Sequence, residues 1–282
     1  MKVTAVVLSW NGREDTLACL RSLEGEPVDV IVVDNASTDG TAEAVTGAEV
    51  IRNERNLGYA GGMNVGIRRA LEQGADAVLV LNNDVEVEPG AVAALVEPAG
   101  GAGAVCPLIV FADDPERVWY AGAGYDPRKG YNGRQRTDRP AEARETDRAC
   151  GAAMLVRREV LEAVGLFDEE LFAYVEDTDW SLRARKLGLP LLVEPASRVR
   201  HKVSASTGGE GSDGALYYST RNTLTVAERH APLGRLGTWR RRAVVVLAHG
   251  AQALLARRPA RIRAVLQGWR DFRRGRLGPR PE

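Results

Sequence analysis

The chain has 282 residues, of which 44% are hydrophobic and 27% charged, a composition typical of a globular protein that is long enough to bury a core. The formal charge is zero, but it is unevenly distributed. Thirteen arginines and two acids follow residue 234, which gives this tail about +11 and the preceding residues about −11. Such a split predicts that the tail meets an anionic surface. We expect a membrane surface there, and no nucleic-acid partner.

The cysteines and the apolar segments bear on the cellular compartment. Cys19, Cys106 and Cys150 are odd in number and widely spaced, which predicts neither a disulfide framework nor a zinc site. No signal peptide is recognisable near Met1, and the apolar stretch around residues 244–255 is too short to span a bilayer. We therefore predict a cytoplasmic protein that lies peripherally on the inner face of the cell membrane.

Apolar runs of strand length alternate with helical patterns in the first half of the chain. Strands are predicted at residues 3–8, 28–33, 50–51 and 77–81, and helical patterns follow the first three. This alternation is typical of parallel βαβ units with right-handed crossovers. The predicted fold class is α/β.

Three polar clusters follow these strands or open the next helix, at residues 34–39, 56–64 and 82–84. In a parallel sheet they share one edge, where helix N-termini favour phosphate and carboxylates favour sugar hydroxyls or a cation. Plain turns are the alternative, because Asn and Asp are common in turns. No Walker loop is present, and residues 58–62 do not fit the dinucleotide fingerprint, which disfavours a dehydrogenase.

In the second half, a predicted helix at residues 175–187 begins with Glu176, Asp177 and Asp179. These acids would complement the helix dipole without any further role. Alternatively, Trp180 and its apolar neighbours bury one face and leave Asp177 pointing into a cleft. The polar residues 112–148 are predicted to be irregular and to form a lid on the acceptor side.

Five segments together resemble glycosyltransferase family 2, particularly its rhamnosyltransferase-like members. They are Val-Val-Leu-Ser-Trp-Asn-Gly, Val-Val-Asp-Asn-Ala-Ser-Thr-Asp-Gly, Asn-x-Gly-Tyr-Ala-Gly-Gly-x-Asn, Leu-Asn-Asn-Asp and Phe-Ala-Tyr-Val-Glu-Asp-Thr-Asp-Trp. The resemblance implies a GT-A fold, which is a Rossmann-like, mostly parallel mixed sheet flanked by helices. It also implies a nucleoside-diphosphate sugar donor, a divalent cation (Mn²⁺ or Mg²⁺) and inversion at the anomeric carbon.

The same resemblance predicts how the chain is divided. Residues 1–210 would form the glycosyltransferase domain, with a nucleotide-sugar half at 1–110 and an acceptor and catalytic half at 111–210. Residues 211–282 would form a helical, basic C-terminal extension. Within this extension, Tyr217-Tyr218 and Arg221-Asn222 are similar to a late element of the rhamnosyltransferase-like members.

The resemblance also assigns residues to the donor and the metal. Asp34 would accept the N3–H of a uracil or thymine ring, and Asp84 matches the last acid of the family's Asp-x-Asp metal motif. Asn82 replaces the first acid of that motif, so His201 is either a second metal ligand or a structural histidine. The predicted nucleotide-sugar site comprises Asn11, Asp34, Asn35, Ser37, Asn56, Gly58, Asn64, Asn83 and Asp84.

By the same similarity Asp177 would be the general base, with Glu176 and Asp179 as the other catalytic candidates. The resulting hypothesis is an inverting transfer of sugar from dTDP-rhamnose or a UDP-hexose to a glycan or lipid-linked acceptor in cell-wall or polysaccharide biosynthesis. The alternative is a catalytically idle module that binds a nucleotide sugar or a glycan. The tail reads as a pair of basic amphipathic helices, either a membrane-surface anchor or a solvated face packed on the catalytic domain.

Overall fold

The computed structural model describes residues 1–126, 128–203, 212–255 and 258–281, with backbone alone for 131–134. The strands within these residues are β1 (Val3–Ser9), β2 (Val28–Asp34), β3 (Glu49–Arg52), β4 (Ala77–Asn82), β5 (Val85–Val87), β6 (Ala104–Phe111), β7 (Val118–Tyr120), β8 (Ala123–Asp126), β9 (Tyr131–Gln135), β10 (Arg144–Thr146), β11 (Ala153–Arg157) and β12 (Leu191–His201). The helices are α1 (Arg13–Ser22), α2 (Thr41–Ala44), α3 (Gly58–Glu72), α4 (Ala91–Val96), α5 (Arg158–Val164), α6 (Glu176–Lys186), α7 (Asp213–His230), α8 (Arg235–Leu255) and α9 (Pro259–Arg273).

One large sheet organises the molecule, in the order β10-β12-β6-β11-β4-β1-β2-β3. The strands β3, β2, β1 and β4 run parallel, β11 is antiparallel to both β4 and β6, and β12 is parallel to β6. Short strands β5 and β7 pair with β12 and β6, while β8 and β9 form a separate ribbon. The predicted α/β class and mostly parallel mixed sheet are confirmed.

The core lies where the apolar strands meet the helices. All seven residues of β1 are buried, as expected for a strand that is covered on both faces. Helix α3 packs closely on β1, as Gly66 shows: a Cβ added there would lie only 2.2 Å from Val6 Cγ1. This close packing fixes the start of α3 beside the carboxyl ends of β1 and β2.

Residues 112–148 are more regular than the sequence indicated. Strand β7 extends the sheet beside β6, and β10 pairs with β12 at the sheet edge. The prediction of an irregular segment is therefore wrong for these strands. Each is only three or four residues long, too short for an alternating pattern to stand out. A lid function for this segment remains a prediction.

The tail forms helices, as predicted, and these helices contribute to a core. Asp271 of α9 is buried and accepts a hydrogen bond from the Tyr217 hydroxyl of α7 at 3.0 Å. A Cβ at Gly268 would lie 2.5 Å from the Tyr217 carbonyl oxygen, so α9 and α7 are in direct backbone contact. The predicted domain boundary at 210/211 lies outside the described residues. No helix in the described ranges combines the length and the apolarity needed to cross a membrane.

Candidate active site

A cavity of about 960 Å³ opens at the carboxyl ends of the parallel strands. Trp10 follows β1, Asn35 follows β2, Asn82 ends β4 and Asn83 follows it, so residues at the ends of three adjacent strands form one wall. The loop at residues 172–174, the start of α7 and parts of the tail form the rest of the lining. The predicted convergence of the polar clusters at one sheet edge is thus observed, and the tail completes the enclosure.

Asp34, at the end of β2, is fully buried. Its Oδ2 accepts a hydrogen bond from the Ser37 backbone N–H at 3.2 Å, while its Oδ1 has no hydrogen-bond partner in the part of the chain that the structure describes. A buried acceptor without a donor is costly, on the order of 1–3 kcal/mol. Oδ1 is therefore well suited to accept a hydrogen bond from a bound molecule.

Asn11 and Ser37 lie next to Asp34 and join two loops. The Asn11 backbone N–H donates to Ser37 Oγ at 2.8 Å, and Asn11 Oδ1 accepts from the Thr38 backbone N–H at 2.9 Å. Asn11 has a positive φ of 57°, a conformation that asparagine tolerates better than most residues. The structure therefore brings Asn11, Asp34 and Ser37 together.

Two predicted ligands, Asn35 and Asn64, have their side-chain amides occupied by protein. The Asn35 amide group donates to Asn56 Oδ1 and the Gly58 carbonyl, and its oxygen accepts from the Asn53 side chain and the Leu57 backbone. The buried Asn64 amide bonds with both main-chain groups of Phe167 and with Glu169 Oε1. Both residues hold loops, and Asn64 does not line the cavity.

Gly58 lines the cavity, but the close neighbour that it accommodates is protein. Its φ is +75°, and a Cβ there would lie 2.4 Å from the Phe172 carbonyl oxygen. The Ala60 backbone N–H donates to that same carbonyl at 3.1 Å. Gly58 thus allows the loop around Phe172 to pack on the start of α3. Asn56 Oδ1 accepts a hydrogen bond from the Gly58 backbone N–H at 2.7 Å.

Beyond β4, Asn82 and Asn83 differ in their surroundings. The Asn83 amide reaches the loop between β1 and α1, with Thr16 Oγ1 at 3.1 Å and the Asn11 carbonyl at 3.3 Å. Asn82 is half-buried and lines the cavity, and its side chain makes no hydrogen bond with any described residue. The Asn82 amide is the polar group of β4 that a ligand in the cavity would meet.

Asp84 and His201 form a buried pair at the ends of β4 and β12. Asp84 Oδ1 lies 3.2 Å from His201 Nε2, and the Trp119 ring packs edge-on against the imidazole with ring centroids 4.5 Å apart. His201 Nδ1 is buried without a hydrogen-bond partner among the described residues. A carboxylate and an imidazole at this separation fit two positions of a cation's coordination sphere.

The described residues contain no cluster of three or more metal-ligating side chains at this pair or elsewhere. Mg²⁺ and Mn²⁺ characteristically take one or two carboxylate ligands and fill the remaining positions with waters and substrate phosphates. Asp84 and His201 therefore fit a cation that is shared with a bound diphosphate.

The three acids at the start of α6 have different environments. Glu176 is buried, and its Oε2 has no hydrogen-bond partner within the described ranges. Burial raises the pKa of Glu176 well above its ordinary value, and the adjacent Asp177 charge raises it further. Burial thus favours the neutral acid form of Glu176. Asp177 is half-buried; its Oδ2 accepts from the Gly151 backbone N–H at 3.2 Å and its Oδ1 from that of Thr178 at 2.6 Å.

Asp179 lies on another face of α6 and is paired with His230 and Arg183. Its Oδ1 is 2.8 Å from His230 Nε2 of α7, and its Oδ2 accepts from Arg183 Nε at 2.9 Å. Burial acts to raise the Asp179 pKa, but the His230 hydrogen bond and the Arg183 charge outweigh it and hold the pKa below its ordinary value. Neither Asp177 nor Asp179 is among the described residues that line the cavity. The pairs of Asp179 join α6 to α7.

The loop before α6 has an unusual backbone. Phe172, Tyr174 and Val175 have φ values of 65°, 65° and 74°, in the left-handed region that a β-branched valine rarely adopts. Such residues cost about 1–3 kcal/mol each and persist where surrounding contacts enforce them. The Asn222 amide group supplies such contacts, lying 2.8 Å from each of the carbonyl oxygens of Leu171, Ala173 and Tyr174. Asn222 thereby helps to position the start of α6 and Asp177.

Sequence analysis did not identify several residues of this cavity. Tyr59 and Trp10 lay within the family motifs without an assigned role, and the Tyr217-Tyr218 element gave only a weak signal. No local pattern showed that arginines of the tail would return to the site. These residues are Trp10, Tyr59, Phe172, Tyr174, Asp213, Tyr218, Arg258, Arg261 and Arg280.

Comparisons with known proteins agree with this geometry. A sequence profile described as glycosyl transferase family 2 matches residues 4–165. The N-acetylglucosaminyl-diphospho-decaprenol L-rhamnosyltransferase of Mycobacterium tuberculosis is 31% identical over 260 residues, covering 80% of this chain and 82% of that protein. The dTDP-rhamnosyl transferase RfbF of Shigella flexneri is 26% identical over 243 residues and 82% of each chain. A crystal structure of GalNAc-T7 with UDP, GalNAc and Mn²⁺ is similar in fold, with a TM-score of 0.62 at 19% identity, and covers 80% of this chain and 48% of that one.

Proposed function

The chain belongs to glycosyltransferase family 2, has the GT-A fold and is a glycosyltransferase that uses a nucleotide-sugar donor, and on this premise we propose that it transfers rhamnose from dTDP-rhamnose, with inversion, to a lipid-linked acceptor. Its similarity to the mycobacterial rhamnosyltransferase, whose name specifies a diphospho-decaprenol substrate, supports both the sugar and the acceptor class. A UDP-hexose is the second candidate donor.

The observation that carries the proposed mechanism is the contrast among the three acids of α6. Burial favours the neutral form of Glu176 and Asp179 is paired with His230 and Arg183, whereas Asp177 is half-buried and retains lone pairs beyond its two backbone contacts. Asp177 removes the proton from an acceptor hydroxyl. That oxygen attacks the anomeric carbon from the face opposite the nucleotide, and the bond to the diphosphate breaks as the glycosidic bond forms. General-base assistance contributes roughly 10²–10⁴-fold.

The strand-end wall of the cavity binds the donor. Asp34 Oδ1 accepts the N3–H of the thymine or uracil ring, since it is buried and has no partner among the described residues. Asn11 and Ser37 fix the loops on either side of the base. Asn82 is the polar group that lines the cavity at the end of β4, and it faces the sugar and the diphosphate.

Asp84 and His201 hold a divalent cation, Mn²⁺ or Mg²⁺. When bound, this cation neutralises the negative charge that develops on the leaving diphosphate. The protein's part is to keep the two ligands 3.2 Å apart at the end of the sheet, with the His201 ring packed against Trp119. His201 is the last residue of β12 and Asp84 lies in the turn between β4 and β5, so the pairing of β5 with β12 positions both residues.

The tail holds the enzyme at an anionic membrane surface. Leu236, Leu247 and Leu254 of α8 are 71%, 70% and 62% exposed, and their spacing of eleven and seven residues places them along one side of the helix. Trp239 is also exposed on this helix, and Arg240 lies next to it. An exposed apolar stripe flanked by arginine is typical of helices that lie in a membrane interface.

Donor turnover tests the proposed reaction. Purified protein with Mn²⁺ is mixed with dTDP-rhamnose or a panel of UDP-hexoses, together with a short-chain lipid-diphosphate sugar acceptor, and released nucleoside diphosphate is measured. We expect acceptor-dependent release of dTDP and a product whose anomeric proton shows inversion by NMR. Release from no donor would contradict the reaction, and release from UDP-hexoses alone would reassign the sugar.

Vesicle binding tests the membrane role separately, because the tail also packs on α7 and cannot be removed cleanly. Leu236→Ser combined with Leu247→Ser should weaken co-sedimentation with anionic vesicles, and 0.5 M salt should weaken it for the unsubstituted protein. Arg274→Gln removes one exposed charge near the end of the tail, and it serves as the comparison for the loss of a single charge. Equal sedimentation of all variants at both salt concentrations would contradict the membrane role.

A further inference from the structure

Three arginines of the tail line the cavity together with the strand ends. They are Arg258 and Arg261 at the start of α9 and Arg280 near the end of the chain. None of the three forms an ion pair with a carboxylate among the described residues, and Asp213 is the one acid among the described residues that line the cavity. We call these three residues the arginine wall. The lining as a whole carries an excess of positive charge, which favours an anionic group in this part of the cavity.

Arg280 of the arginine wall is held in place before any ligand binds. Its Nε donates to Gln267 Oε1 at 2.9 Å, its backbone N–H donates to the Tyr218 hydroxyl at 2.7 Å, and its guanidinium lies 5.2 Å from the centre of the Tyr217 ring. A positioned guanidinium binds phosphate with geometric selectivity, because its planar donors match phosphate oxygens. The contacts to α7 thus present a charged group to the cavity at a reduced entropic cost.

An exposed apolar surface adjoins the arginine wall. Helix α8 ends at Leu254 and Leu255, which are 62% and 85% exposed, and Arg258 follows three residues later. The chain therefore keeps apolar side chains within a few residues of a cationic residue that lines the cavity. A molecule with an apolar chain joined to an anionic head group matches these neighbouring apolar and cationic residues.

We infer that the arginine wall binds the diphosphate of a lipid-linked acceptor, with the lipid chain leaving past Leu254 and Leu255, an inference that rests on the proposed function. The diphosphate of the donor is the other anion of the same chemistry. We assign it to the strand-end wall, where Asn82 lines the cavity and where Asp84 and His201 lie at the strand ends. The two diphosphates then occupy different parts of the lining, and the acceptor sugar lies between them.

Equilibrium binding of farnesyl diphosphate to the full-length protein tests this inference. Arg258→Gln combined with Arg261→Gln should weaken that binding at least tenfold and leave the affinity for dTDP unchanged. Arg263→Gln, which removes an exposed charge from the same helix outside the cavity lining, should leave both affinities unchanged. Retained dTDP binding shows that a variant is folded, and Arg258→Lys with Arg261→Lys should restore part of the farnesyl diphosphate affinity.

Two further measurements test whether the head group is needed for binding and whether the two ligands share one site. Farnesol, which lacks phosphate, should bind weakly and be insensitive to the arginine substitutions. Saturating dTDP should leave farnesyl diphosphate binding intact, because the two diphosphates lie on different walls. Mutual exclusion of dTDP and farnesyl diphosphate, or an equal loss in the Arg263→Gln control, would overturn the inference.

The inference and the proposed function fail in different ways. A protein that releases dTDP from dTDP-rhamnose but does not bind farnesyl diphosphate would overturn the inference alone. A protein that binds farnesyl diphosphate through the arginine wall but releases nucleotide from no donor would overturn the proposed reaction alone.

Discussion

His201 Nε2 lies 3.2 Å from Asp84 Oδ1, although 117 residues separate the two in the chain. The contact arises because β5, which follows Asp84, pairs antiparallel with β12, which ends at His201. Sheet pairing thus brings an imidazole beside Asp84, and under the proposed function His201 would serve as the second ligand, given that Asn82 stands first in the Asn82-Asn83-Asp84 sequence.

The first prediction concerns this pair. Asp84→Asn should raise the dissociation constant for Mn²⁺ tenfold or more and lower the transfer rate, because a carboxylate is a stronger ligand than an amide for a hard cation. His201→Ala should have a smaller effect in the same direction. Mn²⁺ binding is measured by electron paramagnetic resonance, and activity is measured with and without EDTA.

Glu86→Gln provides the control for Asp84→Asn. Glu86 is a carboxylate of the neighbouring β5, and it pairs with Lys202 at 3.2 Å. Its substitution should leave Mn²⁺ binding unchanged. Full activity of the unsubstituted enzyme in EDTA would remove the cation from the mechanism.

The second prediction concerns the strained loop before α6. Asn222→Ala leaves the carbonyls of residues 171, 173 and 174 without their shared donor and should lower the free energy of unfolding by about 1–3 kcal/mol. The transfer rate should fall as well, since the start of α6 carries Asp177. Urea unfolding and steady-state kinetics measure the two effects. Thr225→Ala on the same helix, which removes an intrahelical hydrogen bond, should cost less than Asn222→Ala and leave the rate unchanged.

The third prediction concerns Glu176. Because burial raises its pKa well above 4.5, the folded state retains a proton that the unfolded chain loses, and stability falls as pH rises above about 4.5 through the folded-state pKa. The isosteric Glu176→Gln variant does not lose stability in this way as pH rises. Its stability advantage over the unsubstituted protein should grow between pH 5 and pH 8, and a pH-independent difference would contradict the account. Chemical denaturation across this range gives the measurement.

The fourth prediction concerns Asp179, where the sign is opposite. Its folded-state pKa lies below the ordinary 3.8, so the ionised carboxylate stabilises the protein above about pH 4, and this stabilisation is lost as pH falls through the folded-state pKa. Asp179→Asn should be less stable than the unsubstituted protein at pH 7, and the difference should shrink towards pH 3. Transfer per folded molecule should persist, because both oxygens of Asp179 are engaged by His230 and Arg183 and Asp179 is not assigned the proton.

Sequence patterns predicted the sheet and the strand-end residues well, because buried apolar runs and the polar residues after them are local features. Asp34, Asp84 and Asp177 were each predicted from the family motifs, and their roles remain predictions. The patterns did not separate a ligand-facing amide from one that holds a loop: Asn35, Asn64 and Asn82 all stand in family motifs, yet the amides of Asn35 and Asn64 are occupied by protein groups, whereas the Asn82 amide is not occupied by any described residue. That distinction depends on whether the folded loop turns the amide towards the cavity or towards neighbouring protein groups.

The tail shows what local patterns cannot reveal. Its arginines indicated a charged surface, but whether α9 would pack on α7 and return Arg258 and Arg261 to the cavity depends on contacts such as Tyr217 with Asp271, which are 54 residues apart. The short strands of residues 112–148 were missed for a similar reason. Pairing with β6 and β12, rather than their own sequence pattern, makes them strands.

The fifth prediction bears on the general base, the centre of the proposed mechanism. Asp177→Asn should reduce the rate constant for transfer by at least 10²-fold, because the acceptor hydroxyl loses its base, while the dissociation constant for dTDP should stay within twofold. Glu176→Gln and Asp179→Asn are the comparisons, since both flank Asp177 on α6 and neither is assigned the proton.

The most direct measurement is therefore single-turnover transfer from dTDP-rhamnose to a short-chain lipid-diphosphate sugar acceptor by these three variants, with dTDP binding measured on the same preparations. The account predicts that Asp177→Asn binds dTDP normally and transfers no sugar above about 1% of the unsubstituted rate, while Glu176→Gln and Asp179→Asn retain transfer. Substantial turnover by Asp177→Asn, with turnover lost in either of the other two, would contradict it.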